Sequence, residues 1–239
     1  MESQSPTPRQ ADKTGSKIHQ KIKRGSASAQ LHGSLRERII QLELEPGQNV
    51  SRGEIASEYG VSQTPVRDAL LKLEEEGLID TFPQSKTEVS KINVEHALET
   101  QFLRLSLELE ITKRLSQSGD PALIGQAQSI LAQQSAAMTA NDLSAFARLD
   151  HDFHLSLFEA AGVRDLYAVV QARSGHIDRL RKLNLPDPGK LTSILDCHTR
   201  ILDAIRAGNA KETENVVREH LSGTLAKIND TRERHRNFF

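Results

Sequence analysis

From position 29 onward, apolar residues recur every three or four positions, the spacing that gathers them on one face of a helix. The first such stretch, 29–44, carries Leu31, Leu35, Ile39 and Leu42 and is closed by Glu45-Pro46-Gly47, where proline cannot continue a helix and glycine supplies the turn. Ser51, with Glu54 three residues on, reads as a capping box opening a short helix over 52–59 that Gly60 breaks. Ser62 is a second N-cap, Pro65 is tolerated in the first turn, and that helix runs to Glu76 before Gly77 stops it. The pattern then changes: 78–82 and 87–90 read as two short strands joined at Pro83-Gln84-Ser85-Lys86. From Asn93 the helical period returns, predicting six helices at about 93–117, 121–140, 142–161, 164–184, 188–207 and 210–234. Their connections are short, so neighbours should pack antiparallel. The first of them is apolar on most sides and is expected at the centre of the bundle.

The segment from Glu54 to Leu70 has the grammar of a helix-turn-helix. Ala56 is small where two helices cross, Gly60 permits a positive φ in the turn, and Val66, Ala69 and Leu70 anchor the second helix from its inner face. The second helix of such a motif enters the DNA major groove. Its first turn offers Ser62, Gln63, Thr64 and Arg67: arginine can grip guanine bidentately, glutamine adenine, and hydroxyls phosphate. The hairpin would be a wing with Lys86 near its tip, and the acidic run Glu74-Glu75-Glu76 falls at the far end. The fold class is therefore mainly α: an N-terminal winged helix-turn-helix over 29–92 and a C-terminal antiparallel six-helix bundle over 93–239.

Composition narrows the setting. The chain has 239 residues, enough for two domains, and a formal net charge of −1, so any attraction to DNA must be local. The single cysteine, Cys197, excludes an internal disulfide and a zinc-thiolate cage. No apolar run is long enough for a membrane span and no apolar leader opens the chain, so the expected compartment is the cytoplasm. Residues 1–28 are polar, with Arg9, Lys13, Lys17, Lys21, Lys23 and Arg24 against Glu2 and Asp12; they are expected to be a disordered cationic tail.

Two polar intrusions mark the bundle. On the stripe Leu143, Phe146, Ala147, Asp150, Phe153, His154, Leu157, an aspartate and a histidine four residues apart point the same way, into the core. His198 interrupts a second stripe, between Leu195 and Leu202. His198 and His220 flank the Gly208-Asn209 turn at comparable distances along their helices, so they should sit at a similar height. Asp150, His154, His198 and His220 could converge on a borderline divalent metal such as zinc, nickel or manganese. The alternative is a set of hydrogen-bonded core residues, with Asp150 paired to Arg104 or His154. His151 should face outward.

The stretch from Leu35 to about Ile92 resembles the DNA-binding domain of the GntR family. The resemblance rests on Leu-Arg-Glu-Arg-Ile, Glu-Pro-Gly, Gly-Val-Ser-Gln-Thr-Pro-Val-Arg-Asp-Ala-Leu and Leu-Glu-Glu-Glu-Gly-Leu-Ile. It implies that Arg67 reads bases and that Arg52 lies near the position where some relatives place another such arginine. Relatives commonly carry arginine where this chain has Gln63, and their wing tips are richer in glycine than Gln84-Ser85-Lys86, so the operator should differ from theirs. Residues 93 to about 233 resemble the FCD effector domain of the FadR subfamily, in its six-helix, VanR-like branch. The matching pieces are Leu-Asp-His-Asp-Phe-His, Phe-Glu-Ala-Ala-Gly, Cys-His-Thr-Arg-Ile-Leu-Asp-Ala-Ile and Arg-Glu-His-Leu. That resemblance implies a divalent metal on Asp150, His154, His198 and His220 beside a small organic acid, with Arg104, one turn before Glu108, gripping the acid's carboxylate. The expectation is a homodimeric, metal-containing repressor of palindromic double-stranded operator DNA. The rivals are a metal-dependent hydrolase-like bundle on a DNA-binding head, for which no clear general acid or base is visible, and a constitutive DNA-binding dimer without effector.

Overall fold

The computed structural model describes residues 27–83 and 85–239. The tail expected over 1–28 lies, up to residue 26, outside the described residues, as does Gln84 of the hairpin tip.

The N-terminal unit is three helices and a hairpin: α1 (Ala27–Ile40), α2 (Arg52–Tyr59), α3 (Gln63–Glu75), β1 (Ile79–Phe82) and β2 (Lys86–Val89). Helix α1 ends four residues earlier than its apolar spacing suggests. Leu42 turns into the left-handed region (φ 62°) and the Leu44 N–H folds back to the Arg38 carbonyl (3.1 Å), so Leu44 is buried without being helical. Ser51 caps α2 by accepting the Glu54 N–H (3.4 Å), and Gly60 (φ 65°) makes the turn into α3. Leu31, Leu35 and Ile39 of α1 close over Val66, Leu70 and Leu73 of α3 and over Leu78 and Val89 of the hairpin. The strands pair antiparallel, Ile79 opposite Val89 and Phe82 opposite Lys86. Lys86 therefore belongs to the strand rather than to the tip.

The C-terminal unit is helical throughout: α4 (Val94–Ser118), α5 (Gly125–Thr139), α6 (Leu143–Ala160), α7 (Arg164–Arg173), α8 (Gly175–Asn184), α9 (Lys190–Arg206), α10 (Ala210–Ser222) and α11 (Ile228–Arg234). Phe153, Leu157 and Phe158 of α6 pack with Ile201 and Leu202 of α9 and Val216 and Val217 of α10 to form its main core.

Three expectations are corrected here. The helix foreseen over 164–184 is two, divided at Ser174. Gly175 sits so close to Leu78 that a Cβ there would lie 2.5 Å from Leu78 Cδ2, and the Ser174 hydroxyl donates to Asp178. The break lets α8 lie against α1 of the other domain. The helix foreseen over 210–234 is interrupted after Ser222 by Gly223 and a 3-10 turn at Leu225–Lys227. Helix α4 is not buried all round: Ala97, Thr100, Arg104, Glu108, Ile111 and Leu115 face inward, while Leu98 and Phe102 are 51% and 74% exposed.

The two domains are seated on each other through α8. Arg179, fully buried, donates from Nη1 to the Ser90 carbonyl (2.7 Å), and His176 Nδ1 accepts the Asn93 N–H (3.0 Å). Lys182 Nζ donates to Gln41 Oε1 (2.5 Å), and Arg36 Nη2 of α1 donates to the Gln171 carbonyl (2.6 Å). The C-terminus adds a strap: the Ile92 N–H donates to the Phe238 carbonyl (2.7 Å).

Candidate metal centre and nucleic-acid interface

Asp150 and His154 on α6, His198 on α9 and His220 on α10 present ligand atoms that all lie within 4.8 Å of one another. The spacing is tighter where it matters. His220 Nε2 is 3.1 Å from His154 Nε2 and 3.2 Å from His198 Nε2, and His198 Nε2 is 3.5 Å from Asp150 Oδ1. Metal–nitrogen bonds of roughly 2.0–2.1 Å set neighbouring donors roughly 2.9–3.4 Å apart between octahedral and tetrahedral geometry, so the imidazoles are already at coordination spacing.

The outer nitrogens explain why. His154 Nδ1 lies 2.8 Å from Glu108 Oε2, and an ionised carboxylate only accepts, so the proton sits on Nδ1 and Nε2 is left with its lone pair inward. His198 Nδ1 does the same toward Gln134 Oε1 (2.9 Å), and the Gln134 amide is fixed in that sense by donating to the Phe146 carbonyl (3.4 Å). Arg104 Nε holds Glu108 in turn at 2.5 Å. Partners of this kind orient metal-binding imidazoles and raise their basicity.

Charge follows the same logic. Burial pushes all three imidazoles down, His198 to about 3, so each is neutral near pH 7 and free to donate a lone pair. Burial alone would raise the Asp150 carboxyl, but Arg181 and the neighbouring imidazoles hold it well below the usual range. Glu108, which burial would also raise, is brought to about 2 by Arg104 and His154. Asp150 Oδ2 accepts from Arg181, whereas its Oδ1, buried and facing His198, has no hydrogen-bond partner among the described residues. An orphaned carboxylate oxygen beside inward-facing imidazole nitrogens is a donor set without an acceptor, which a divalent cation would complete.

A cavity of about 290 Å³ opens beside this cluster. Asp150 and His220 line it on the cluster side together with Arg181 and Lys190, and Arg36 and Ile40 of α1 with Gln41 just beyond that helix line it on the side of the DNA-binding domain. His151 lines it too, 3.3 Å from the Tyr167 hydroxyl, instead of facing outward as its place beside the stripe suggested. Arg104 is directed elsewhere: buried and paired to Glu108, it lines only a small gap shared with His220 and Arg181. Arg181, Gln134 and Lys190 were not singled out from sequence. Gln134 had a visible signal, a polar side chain in register with Ile130 and Ala137 on the buried face of α5.

The residues expected to contact DNA are exposed, as a helix-turn-helix requires. Ser62, Gln63, Thr64 and Arg67 all face solvent on the first turns of α3, and Ser62 makes no side-chain cap bond, leaving its hydroxyl available. Arg67 has one loose partner, Asp68 at 3.5 Å. Arg52 is exposed at the start of α2. Lys86 is less free than its place in the wing suggested: its ammonium pairs with Glu88 and lies 5.1 Å from the Phe82 ring centre. Glu76, at the far end, ties α3 to α1 through Arg36 (2.8 Å) and His32 (2.7 Å).

Comparison with known proteins agrees with both halves. Residues 27–89 match the family described as bacterial regulatory proteins, gntR family, and residues 99–223 match the FCD domain. A helix-turn-helix-type transcriptional regulator from an unstable DNA locus of Streptomyces ambofaciens is 34% identical over 81% of each chain. The transcriptional repressor RspR of Escherichia coli K12 is 26% identical over 88% of this chain and 92% of its own. The solved structure of Escherichia coli McbR/YncC superposes with a TM-score of 0.70 at 19% identity, covering 86% of this chain and 98% of that one. No helix among the described residues is long and apolar enough to cross a membrane. The chain belongs to the GntR family of transcriptional regulators, with a gntR-type DNA-binding head and an FCD domain.

Proposed function

We propose that this protein is a ligand-responsive repressor whose effector is a small organic acid bound beside a divalent metal in the FCD domain. The observation that carries the reading is the unpartnered Asp150 oxygen facing His154, His198 and His220 at coordination spacing, on the wall of a cavity roofed by the DNA-binding domain. Asp150, His154, His198 and His220 would hold the ion, with zinc favoured by three imidazoles and one carboxylate, and nickel or manganese as alternatives. Such an ion supplies Lewis acidity toward an acid's oxygens. Arg181, which lines the cavity and is partly exposed although paired to Asp150, is better placed for the effector carboxylate than the buried Arg104, which lies outside that lining.

The regulatory logic is linkage. A ligand that fits the cavity only in one seating of α1 favours that seating, and DNA that requires the other is released; by reciprocity operator DNA weakens the ligand. Repression is favoured by the similarity to RspR, itself a repressor. A dimer on a palindromic operator is supported by the apolar residues left outside the bundle. Leu98 and Phe102 on α4 and Leu166 and Val169 on the neighbouring α7 are all exposed.

The test is metal analysis of the purified full-length protein, followed by operator capture from genomic fragments with and without the metal. Near-stoichiometric metal and recovery of a short palindrome are the expected results. A metal-free protein that binds the same palindrome regardless of added zinc, nickel or manganese would overturn the metal-assisted reading. Sedimentation with Phe102→Glu checks the dimer, which should dissociate.

A further inference from the structure

The cavity beside the metal cluster is rich in cations, and nearly all of them are committed. Arg36 is held by Glu76 (2.8 Å) and Arg181 by Asp150. Lys182 donates to Gln41 (2.5 Å), and Arg148 to the Ser144 hydroxyl (3.2 Å). Lys190 differs. It lines the same cavity at the start of α9 and is half-buried, and among the described residues its ammonium has neither an ion-pair nor a hydrogen-bond partner. It is also hemmed in: a Cβ on Gly223 would lie 3.2 Å from Lys190 Nζ. Burial, and then the nearby charges of Arg181 and Lys227, push this ammonium below its usual pKa, as expected of a cation facing other cations. Asp150 acts on it only from beyond ion-pair distance, and a half-buried ammonium without a direct partner is unfavourable unless something supplies one.

We infer that Lys190 is a second anion subsite of the effector cavity, and that the effector is a dianionic organic acid. One carboxylate lies at the metal cluster and Arg181, and a second anionic group at Lys190. The inference rests on the carboxylate-effector reading above and narrows it. Lys190 opens α9 and His198 stands two turns further along the same helix, so the two subsites are offset along one rigid element. The effector's anionic groups are accordingly separated by a short carbon chain. Helix α1 closes the outer side, so chain length is limited by the DNA-binding domain itself.

The experiment is calorimetric titration of zinc-loaded full-length protein with dicarboxylates of four to seven carbons, succinate to pimelate, against monocarboxylates of equal length. The expected result is a best dicarboxylate binding roughly tenfold to hundredfold more tightly than its monocarboxylate partner, the strength of one charge-assisted hydrogen bond. Lys190→Met should erase that preference without lowering the melting temperature, and Lys190→Arg should restore part of it. If both acid classes bind but the preference is absent, or survives in Lys190→Met, the subsite is overturned and the carboxylate reading stands. If zinc binds and no acid of either class does, both fall together.

Discussion

Arg181 donates to the buried carboxylate of Asp150, and the next side chain on α8, Lys182, donates to Gln41 of the DNA-binding domain. One helix therefore touches the candidate metal cluster and the reading head with consecutive residues. Gly175, His176 and Arg179 on the same helix are packed against Leu78, Asn93 and Ser90, so a shift of α8 cannot leave the head where it is.

Removing Arg181 should expose how much Asp150 depends on it. In Arg181→Met the carboxylate loses its main counter-charge, and the metal-free protein should lose about 1–3 kcal/mol, less than a fully buried pair would because Arg181 is partly exposed. Zinc supplies the missing charge, so the loss should shrink in the loaded protein. Calorimetric unfolding with and without chelator measures both; an equal loss in the two states would count against Asp150 as a ligand.

Metal affinity should fall in two grades. His198→Ala removes a ligand, and copurified metal should drop sharply; full retention in that variant would sink the four-ligand set. Glu108→Gln keeps the shape but weakens the acceptor that fixes the His154 proton on Nδ1, and should cost about tenfold to a hundredfold in affinity. Competition with a chromophoric chelator distinguishes the grades.

Acid should destabilise the metal-free protein through its buried histidines. His176, buried where the domains meet, and His198 both have their pKa lowered to about 3, in each case first by burial. The unfolded chain takes up these protons below about pH 6.5 while the folded chain resists until about pH 3, so stability is intact above 6.5 and is lost as pH falls between the two. Each histidine should contribute about 1.4 kcal/mol per pH unit within that window. Denaturant midpoints from pH 7.5 to 4.5 test this, and His176→Asn should flatten the slope; an unchanged slope would remove His176 from the account.

Arg67→Ala should cost about 1–3 kcal/mol in operator binding and relax the sequence preference. Lys86→Ala should cost less, because the Lys86 ammonium already pairs with Glu88. Anisotropy titrations at fixed salt on the captured operator compare the two. Operator affinity unaltered in Arg67→Ala would mean that α3 does not read bases.

Much of this was legible in the residues because it is local. Ser51 with Glu54, and Gly60 between two apolar stripes, specify a helix-turn-helix within about twenty positions, through caps and φ preferences that need no distant partner. Asp150 and His154 could be read together because four residues is one helical turn, and His198 and His220 because a tight turn equalises their heights. Arg104 could be read from sequence either as gripping an effector or as paired to Glu108 one turn on, and the packed helix has its guanidinium taken up by Glu108. Helix lengths failed where the sequence gives no sign of the break, as at Ser174, beside which Leu78 of the other domain packs too closely on Gly175 for any side chain there.

By itself, then, the sequence determined most of the elements and the candidate metal donors, because periodicity and capping act over a few residues. The tertiary structure alone decided that Arg181 pairs with Asp150, that Lys190 lines a cavity without a direct ion-pair partner among the described residues, and that α1 of the head forms part of that cavity's wall. Those relationships join residues as far apart as Gln41 and Lys182, 141 positions along the chain. No local pattern encodes such a distance; it is fixed by which apolar faces bury each other when the two domains close.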